Sequence, residues 1–292
     1  MARHPFKTVD VFTATPFRGN PLAIVFDADD LSTAQMQRIA NWINLSETTF
    51  VLRPTQAGAD YRVRIFTPSA ELPFAGHPTI GTAHALLEAG SIAPRDGVLL
   101  QECARGLVRL DVTHAADGAR WIAFELPAGT ITPLDAAQAD ELARIVGTPL
   151  AGIAPPALVD AGTRWVVAQL PDARAVLAAA PDLARMKAHD AASGNTGVIV
   201  FGPHDDGAGA RIEVRAFAPA HGVDEDPVCG SGNGSIAAYL RHTGQADAFG
   251  RDFLSSQGAA VGRAGILRLQ TGENAIRVGG NAVTCVDGCL TF

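Results

Sequence analysis

The chain is short of the residues on which several classes of protein depend. Its cysteines are only Cys103, Cys229, Cys285 and Cys289, no two of them form a C-x-x-C pair, and the histidines are scattered. A zinc cluster or a disulfide framework therefore has no foundation, and neither a metal nor an organic cofactor is expected. There is no basic run, and 23 Lys and Arg are outweighed by 30 Asp and Glu, for a net charge of −7. Nucleic acid is not an expected partner, because its phosphates call for a basic face. No stretch of about 18 uncharged apolar residues occurs, and the first ten residues hold no apolar leader segment. The expectation is a soluble, cytoplasmic protein without a membrane partner.

Three nucleotide or nucleophile motifs are also missing. Gly230-x-Gly232 continues with Ser235 where the dinucleotide fingerprint requires glycine. Ser231 has Cys229 two places before it, where a nucleophile elbow requires glycine. No glycine loop is followed by Lys-Ser or Lys-Thr, so no P-loop is present.

What remains is a chain of 292 residues, 47% hydrophobic, with 30 glycines and 18 prolines. That is about twice the 150 residues usual for one domain, so two lobes are expected, residues 1–129 and 130–292. The last segment, from about residue 283 to 292, is a candidate to return to the first lobe. Short runs rich in Val, Ile, Phe and Thr read as strands at 8–12, 22–26, 48–52, 61–66, 98–101, 107–112 and 121–126. A second set follows at 164–170, 197–201, 211–217, 267–269, 275–278 and 282–286. Ser32 with Gln35, and Asp135 with Gln138, have capping-box spacing and open amphipathic helices. The polar, proline-flanked stretch 127–133 reads as the hinge. Cys103, Cys285 and Cys289 fall in strand-like segments and read as small buried hydrophobes.

An internal repeat is more informative than any single element. An alternating strand ending in Phe66-Thr-Pro leads to Ala75-Gly76-His77-Pro and a small-residue helix. An alternating strand ending in Phe217-Ala-Pro leads to Cys229-Gly230-Ser231 and another. Gly76 matches Gly230, Ala83 matches Ala237 and Leu86 matches Leu240, a constant offset of 154. The expected fold is α+β: two pseudo-symmetric lobes facing one another across a cleft, each a curved, mostly antiparallel sheet or barrel around a central helix. A helix of small and apolar residues on all sides must be buried on all sides. The N-termini of both helices would present free backbone N–H groups to a small anionic substrate. Alternatively these glycines only permit tight turns.

Glu47 lies at a seam between helix and strand, flanked by Leu45 and Phe50, where desolvation would keep its carboxyl protonatable. On local sequence alone an exposed cap or edge charge is the favoured reading. His77 can donate to a carbonyl or relay a proton, or it is a structural loop residue. Asp226 can be a helix N-cap. The symmetry mate of Cys229 is Ala75, which disfavours a two-thiol racemase.

Several segments together resemble the phenazine-biosynthesis isomerase family, the PhzF-like proteins. They are Asp10-Val-Phe with Gly19-Asn20-Pro21, Phe26-Asp-Ala-Asp-Asp-Leu and Gln35-Met-Gln-Arg-Ile-Ala. With them go Asn44-Leu-Ser-Glu47-Thr-Thr-Phe-Val-Leu, Arg64-Ile-Phe-Thr-Pro, Glu71-Leu-Pro-Phe-Ala-Gly-His77-Pro and Glu225-Asp226-Pro-Val-Cys-Gly-Ser. The resemblance runs almost end to end. It implies a diaminopimelate epimerase-like fold, a homodimer, and isomerisation of trans-2,3-dihydro-3-hydroxyanthranilate without metal or organic cofactor. By the same resemblance Glu47 shuttles a proton between ring carbons, and His77 and Asp226 position the substrate and assist. Gly230 and Ser231 grip its carboxylate, and Asn20 is a substrate-side contact; Gly76, on the matching loop of the repeat, is a further candidate contact. Two positions depart from the family: Cys229 stands where threonine is usual, and Gly232 where alanine is. Both flank the anion site. Two other readings stay open, an amino-acid epimerase using Cys229 with Glu47 or His77, and a non-catalytic small-metabolite binding protein.

Overall fold

The structure is a computed structural model and describes residues 3–115 and 118–291. The chain forms two compact units, Met1–Glu125 with Gly279–Phe292, and Leu126–Val278. Among the described residues no helix is long and apolar enough to cross a membrane.

In the first unit, β1 (Arg3–Val11) pairs antiparallel with β2 (Asn20–Val25). Gly19 in their connection has no substitute, because a Cβ there would lie 2.2 Å from the Val11 carbonyl oxygen. The buried Asp10 carboxylate holds the same loop, accepting from the Arg18 and Gly19 amides at 2.7 and 2.9 Å. Helix α1 (Thr33–Ile43) starts at the Ser32–Gln35 capping box and ends where Asn44 turns left-handed, φ 58°. Its Met36 and Ala40 pack on Phe50 and Phe66, whose rings meet edge to face at 5.4 Å. The crossover through α1 lets β3 (Thr48–Leu52) lie parallel to β2. Next come β4 (Tyr61–Phe66), the short β5 (Glu71–Leu72) and α2 (Gly76–Glu88). Then β6 (Val98–Cys103) runs parallel to β4, and β7 (Gly106–His114) and β8 (Arg120–Glu125) complete an antiparallel meander.

Helix α2 is the axis of this unit. Its residues are buried from Gly76 to Ala83, and again at Ala85 and Leu86. It touches β1, β2, β3 and β8, strands from both ends of the sheet, so the sheet curves around it. Small side chains make that enclosure possible: a Cβ on Gly81 would stand 2.6 Å from Leu22 and 2.8 Å from Val11.

The second unit contains β9 (Thr130–Pro133), α3 (Ala136–Val146), β10 (Ala157–Asp160), β11 (Arg164–Gln169), α4 (Ala173–Ala178) and α5 (Leu183–Ser193). It continues through β12 (Gly197–Pro203), β13 (Ile212–Ala218), β14 (Val223–Asp226), α6 (Gly230–His242), α7 (Ala246–Phe249), β15 (Asp252–Gln257) and β16 (Gly265–Thr271) to β17 (Ile276–Gly280). Helix α6 is its axis, buried at Gly230 and from Gly232 to Leu240, and it touches β10, β11, β12 and β16. Outside the sheet, α3, α4 and α5 cover a second cluster around Val166, Val198 and Phe217. After β17 the chain forms β18 (Ala282–Thr291), which pairs antiparallel along β1 in the first unit.

The two units repeat one wiring. From β1 to β7 the neighbour relations run antiparallel, parallel, antiparallel, parallel, antiparallel, and from β10 to β16 they run the same way. Side chains repeat with it. Arg64 forms a bidentate pair with Glu71 at 2.7 and 2.6 Å and lies 5.1 Å from the Phe66 ring centre. Arg215 does the same with Glu225 at 3.0 and 2.8 Å, 4.9 Å from the Phe217 ring centre. A buried rung also recurs. Gln101 donates to Thr79 on α2 at 2.9 Å, and Ser255 donates to Asn233 on α6 at 2.6 Å, both members displaced by 154.

Three readings of the sequence change. The stretch read as a hinge contains β9, which pairs with β10, because Thr130–Pro133 finds a strand edge to complete. Cys285 is half-buried and Cys289 exposed, since they sit on β18, whose outer part faces solvent; only Cys103 is a buried hydrophobe of the kind expected. Helix α5 and strand β15 are among the elements the sequence reading lacks; β15 alternates in burial, but two of its three buried positions are the polar Ser255 and Gln257.

The close approach around α2 is testable. Gly81→Val is expected to lower stability by about 1–3 kcal/mol through overpacking. Gly209→Ala, at a position where a Cβ meets nothing within 4 Å, should stay within about 0.5 kcal/mol. Urea midpoints followed by circular dichroism compare them, and equal midpoints would refute the packing argument.

Candidate active site

The left-handed Asn44 cap reverses the chain at the end of α1 and delivers Glu47 to the residue before β3. The parallel register sets Ala23 against Thr48, so Asn20 and Glu47 leave the sheet at the same edge. Asn20 is buried as the first residue of β2, opposite Val11. His77 is the second residue of α2, buried, with its Nε2 3.4 Å from Glu47 Oε2. The first unit therefore gathers Asn20, Glu47, Gly76 and His77 at one edge.

Glu47 keeps 16% of its side-chain surface accessible. Among the described residues its Oε2 makes no hydrogen bond, the approach of His77 being close but misaligned. Burial pushes the carboxyl above its usual 4.5, with the Ser46 hydroxyl pulling weakly the other way. Burial thus strengthens the hold of this carboxyl on its proton, and a carboxyl that can both hold and release a proton is what a general acid/base requires. The reading of Glu47 as an exposed edge charge is thus overturned. The Gly76 amide, at the positive end of α2, bonds to no group among the described residues.

The second unit holds Asp226, Cys229, Gly230 and Ser231. Asp226 ends β14 and its Oδ1 accepts from the Val228 amide at 3.1 Å, so it caps a tight turn and is not the helix N-cap. That place is taken by Cys229, whose Sγ accepts from the Gly232 amide at 3.3 Å. Pro227 and Val228 separate Asp226 from the first helical turn, too far for its carboxyl to serve as the cap. Burial, with Asp226 close by, raises the Cys229 thiol well above its usual range. Burial therefore favours the protonated thiol and works against its use as a base. The amides of Gly230 and Ser231 bond to nothing among the described residues. Trp165 Nε1–H donates to Ser231 Oγ at 3.1 Å, and the Cys229 sulfur lies 3.7 Å from the same oxygen. Two amides and a hydroxyl at a helix N-terminus suit a carboxylate.

Sequence reasoning missed Trp165, Asn233, Ser255 and Gln257. One signal was available: a polar Asn233 inside a helix buried on all sides must have a partner. Nothing local marks which strand residue supplies it. Among the described residues no group of three or more His, Cys, Asp or Glu is placed to hold a metal.

Residues 9–288 match the family described as phenazine biosynthesis-like protein, PhzC-PhzF. The chain belongs to that family. Antisense-enhancing sequence 1 of Schizosaccharomyces pombe is 42% identical over 99% of both chains. The trans-2,3-dihydro-3-hydroxyanthranilate isomerase of Pseudomonas chlororaphis is 37% identical over 99% of this chain and all of its own. A PhzF-family protein of Bacillus anthracis superposes with a TM-score of 0.88 at 25% identity, each chain covered completely. The architecture is the α+β, epimerase-like fold of PhzF proteins, in agreement with the sequence reading.

The raised carboxyl carries a stability consequence. The folded PhzF-family chain holds the Glu47 proton more tightly than the unfolded one, so Glu47 favours folding below about pH 4.5. That contribution is lost as pH rises through the folded value. Glu47→Gln is therefore expected to match the parent in Tm at pH 4 and to equal or exceed it at pH 8. Calorimetric scans at the two pH values decide, and a deficit at pH 8 as large as any at pH 4 would contradict the burial argument.

Proposed function

We propose that this PhzF-family protein is a cofactor-independent isomerase that moves a proton by general acid/base catalysis across a small cyclic or unsaturated amino or hydroxy acid. The observation that carries the reading is the largely buried, raised carboxyl of Glu47 beside His77. As carboxylate, Glu47 takes a proton from one carbon of the substrate, and as acid it returns that proton to another, with no net change in charge or oxidation state. His77 and Asp226 are proposed to position the substrate and assist proton movement. The amides of Gly230 and Ser231, with the Ser231 hydroxyl, are proposed to grip its carboxylate, and Gly76 and Asn20 to contact it. The first substrate to test is trans-2,3-dihydro-3-hydroxyanthranilate, named for the Pseudomonas chlororaphis relative at 37% identity. A homodimer and a cytoplasmic location belong to the same proposal.

Two alternatives weigh less. An epimerase would need Cys229 as a base, but burial works against ionising its thiol and its sulfur already caps α6. A pure binding protein would gain nothing from burying the Glu47 carboxyl, which burial destabilises in its charged form.

Acid/base catalysis contributes roughly 10²–10⁴-fold, so Glu47→Gln should lose about that factor in turnover of trans-2,3-dihydro-3-hydroxyanthranilate while its circular dichroism is retained. Solvent deuterium incorporation into product, followed by NMR, is the direct readout. Parental turnover in the variant would sink the role given to Glu47.

A further inference from the structure

Gln257, the last residue of β15, is 1% exposed and takes no part in the reading above. Its side-chain amide ties together three parts of the second unit. Oε1 accepts from the Cys229 amide at 3.1 Å and from Asn233 Nδ2 at 2.8 Å, and Nε2 donates to the Asp226 carbonyl at 2.8 Å. Each orientation is dictated by a partner with no choice. The Cys229 N–H can only donate and the Asp226 carbonyl can only accept. Asn233 Nδ2 also donates to the Cys229 carbonyl at 2.9 Å, while its Oδ1 accepts from Ser255. Flipping the Gln257 amide would set N–H against N–H and oxygen against oxygen.

We infer that Gln257 is a positioning residue, which fixes the Asp226–Cys229 turn onto the start of α6 so that the Asp226 carboxyl and the Gly230 and Ser231 amides keep one mutual geometry. This rests on the function proposed above. The internal repeat supplies the argument. The Ser255–Asn233 rung has its counterpart in Gln101–Thr79, and the strand registers agree, Ile212 against Ser255 and Tyr61 against Gln101. A bond needed only to hold a helix in its sheet recurs in both copies. Gln257 does not recur: two residues beyond Gln101 stands Cys103, whose sulfur pairs with the Gly106 carbonyl in its own hairpin. The added clamp occurs where the acidic turn occurs, and only there among the two. Bonding the Asp226 carbonyl and the Cys229 amide also turns both toward β15, leaving the next two amides of α6 unused.

The test compares Gln257→Met, which keeps the shape and loses three hydrogen bonds, with Gln257→Glu, which keeps the two accepted bonds and loses the donated one at neutral pH. With trans-2,3-dihydro-3-hydroxyanthranilate as substrate, Gln257→Met is expected to raise KM about tenfold, with kcat within about twofold. Gln257→Glu should show a similar rise at neutral pH and recover at low pH, where the protonated acid again donates to the Asp226 carbonyl. In amide hydrogen exchange the Cys229 N–H should exchange faster in Gln257→Met, with α1 unchanged. If Gln257→Met does not fold, the pH-dependent KM of Gln257→Glu carries the same decision. Parental KM in folded variants, or parental protection of Cys229, overturns the inference. If the parent protein does not turn over this acid, the functional reading fails separately, and the exchange of the Cys229 amide still decides whether Gln257 holds the turn.

Discussion

Burying a helix inside a curved sheet constrains every residue on it. Strands approach α2 and α6 from several directions, so most positions must be small, and Gly81 has no room even for a methyl group. Such helices cannot be held by large interlocking side chains on one face. They are tied in by polar rungs, Gln101 to Thr79 in one unit and Ser255 to Asn233 in the other, and these bonds are strong because no water competes for them. The same enclosure brings the helix N-terminus to the edge of the sheet with its first amides unspent. The fold therefore produces an anion-attracting point in each unit as a by-product of its packing.

Duplication separates what the architecture needs from what the chemistry needs. The strand order, the Arg–Glu–Phe clamps and the rungs occur twice, and each stabilises a hairpin or a helix that occurs twice. Glu47, the acidic turn at Asp226, Cys229 and Gln257 occur once. Their placement follows from local departures: a left-handed Asn44 that sends the chain into β3, and Pro227 that breaks the path from β14 into α6. Cys229 illustrates how a residue suggestive of chemistry is absorbed by structure. Its sulfur fills the N-cap acceptor role, and burial holds its proton in place.

Glu47 is the opposite case. Among the described residues no arginine or lysine pairs with it, and its Oε2 has no hydrogen bond to offset the loss of water. Burial of this carboxyl therefore weakens the fold whenever the group is charged. The substrate is a separate matter from the proton chemistry. A relative 42% identical is not named as an isomerase while one 37% identical is, so overall identity alone does not select the acid that fits.

Much was legible in the residues themselves. Strand alternation, the capping boxes at Ser32 and Asp135 and the 154-residue repeat are local or periodic signals, and they sufficed for an α+β architecture with two buried helices. The family motifs singled out Glu47, His77 and Asp226. Whether Glu47 is exposed or buried, and whether its neighbour is His77, depends on residues thirty positions apart meeting at a sheet edge. That no pattern of spacing expresses. The N-cap passed to Cys229 for a similar reason, because the turn at Pro227 settles which side chain reaches the Gly232 amide. Gln257 was silent in the sequence: one more polar residue at a strand end, given its part only when β15 lies beside β13 and brings its amide under the acidic turn.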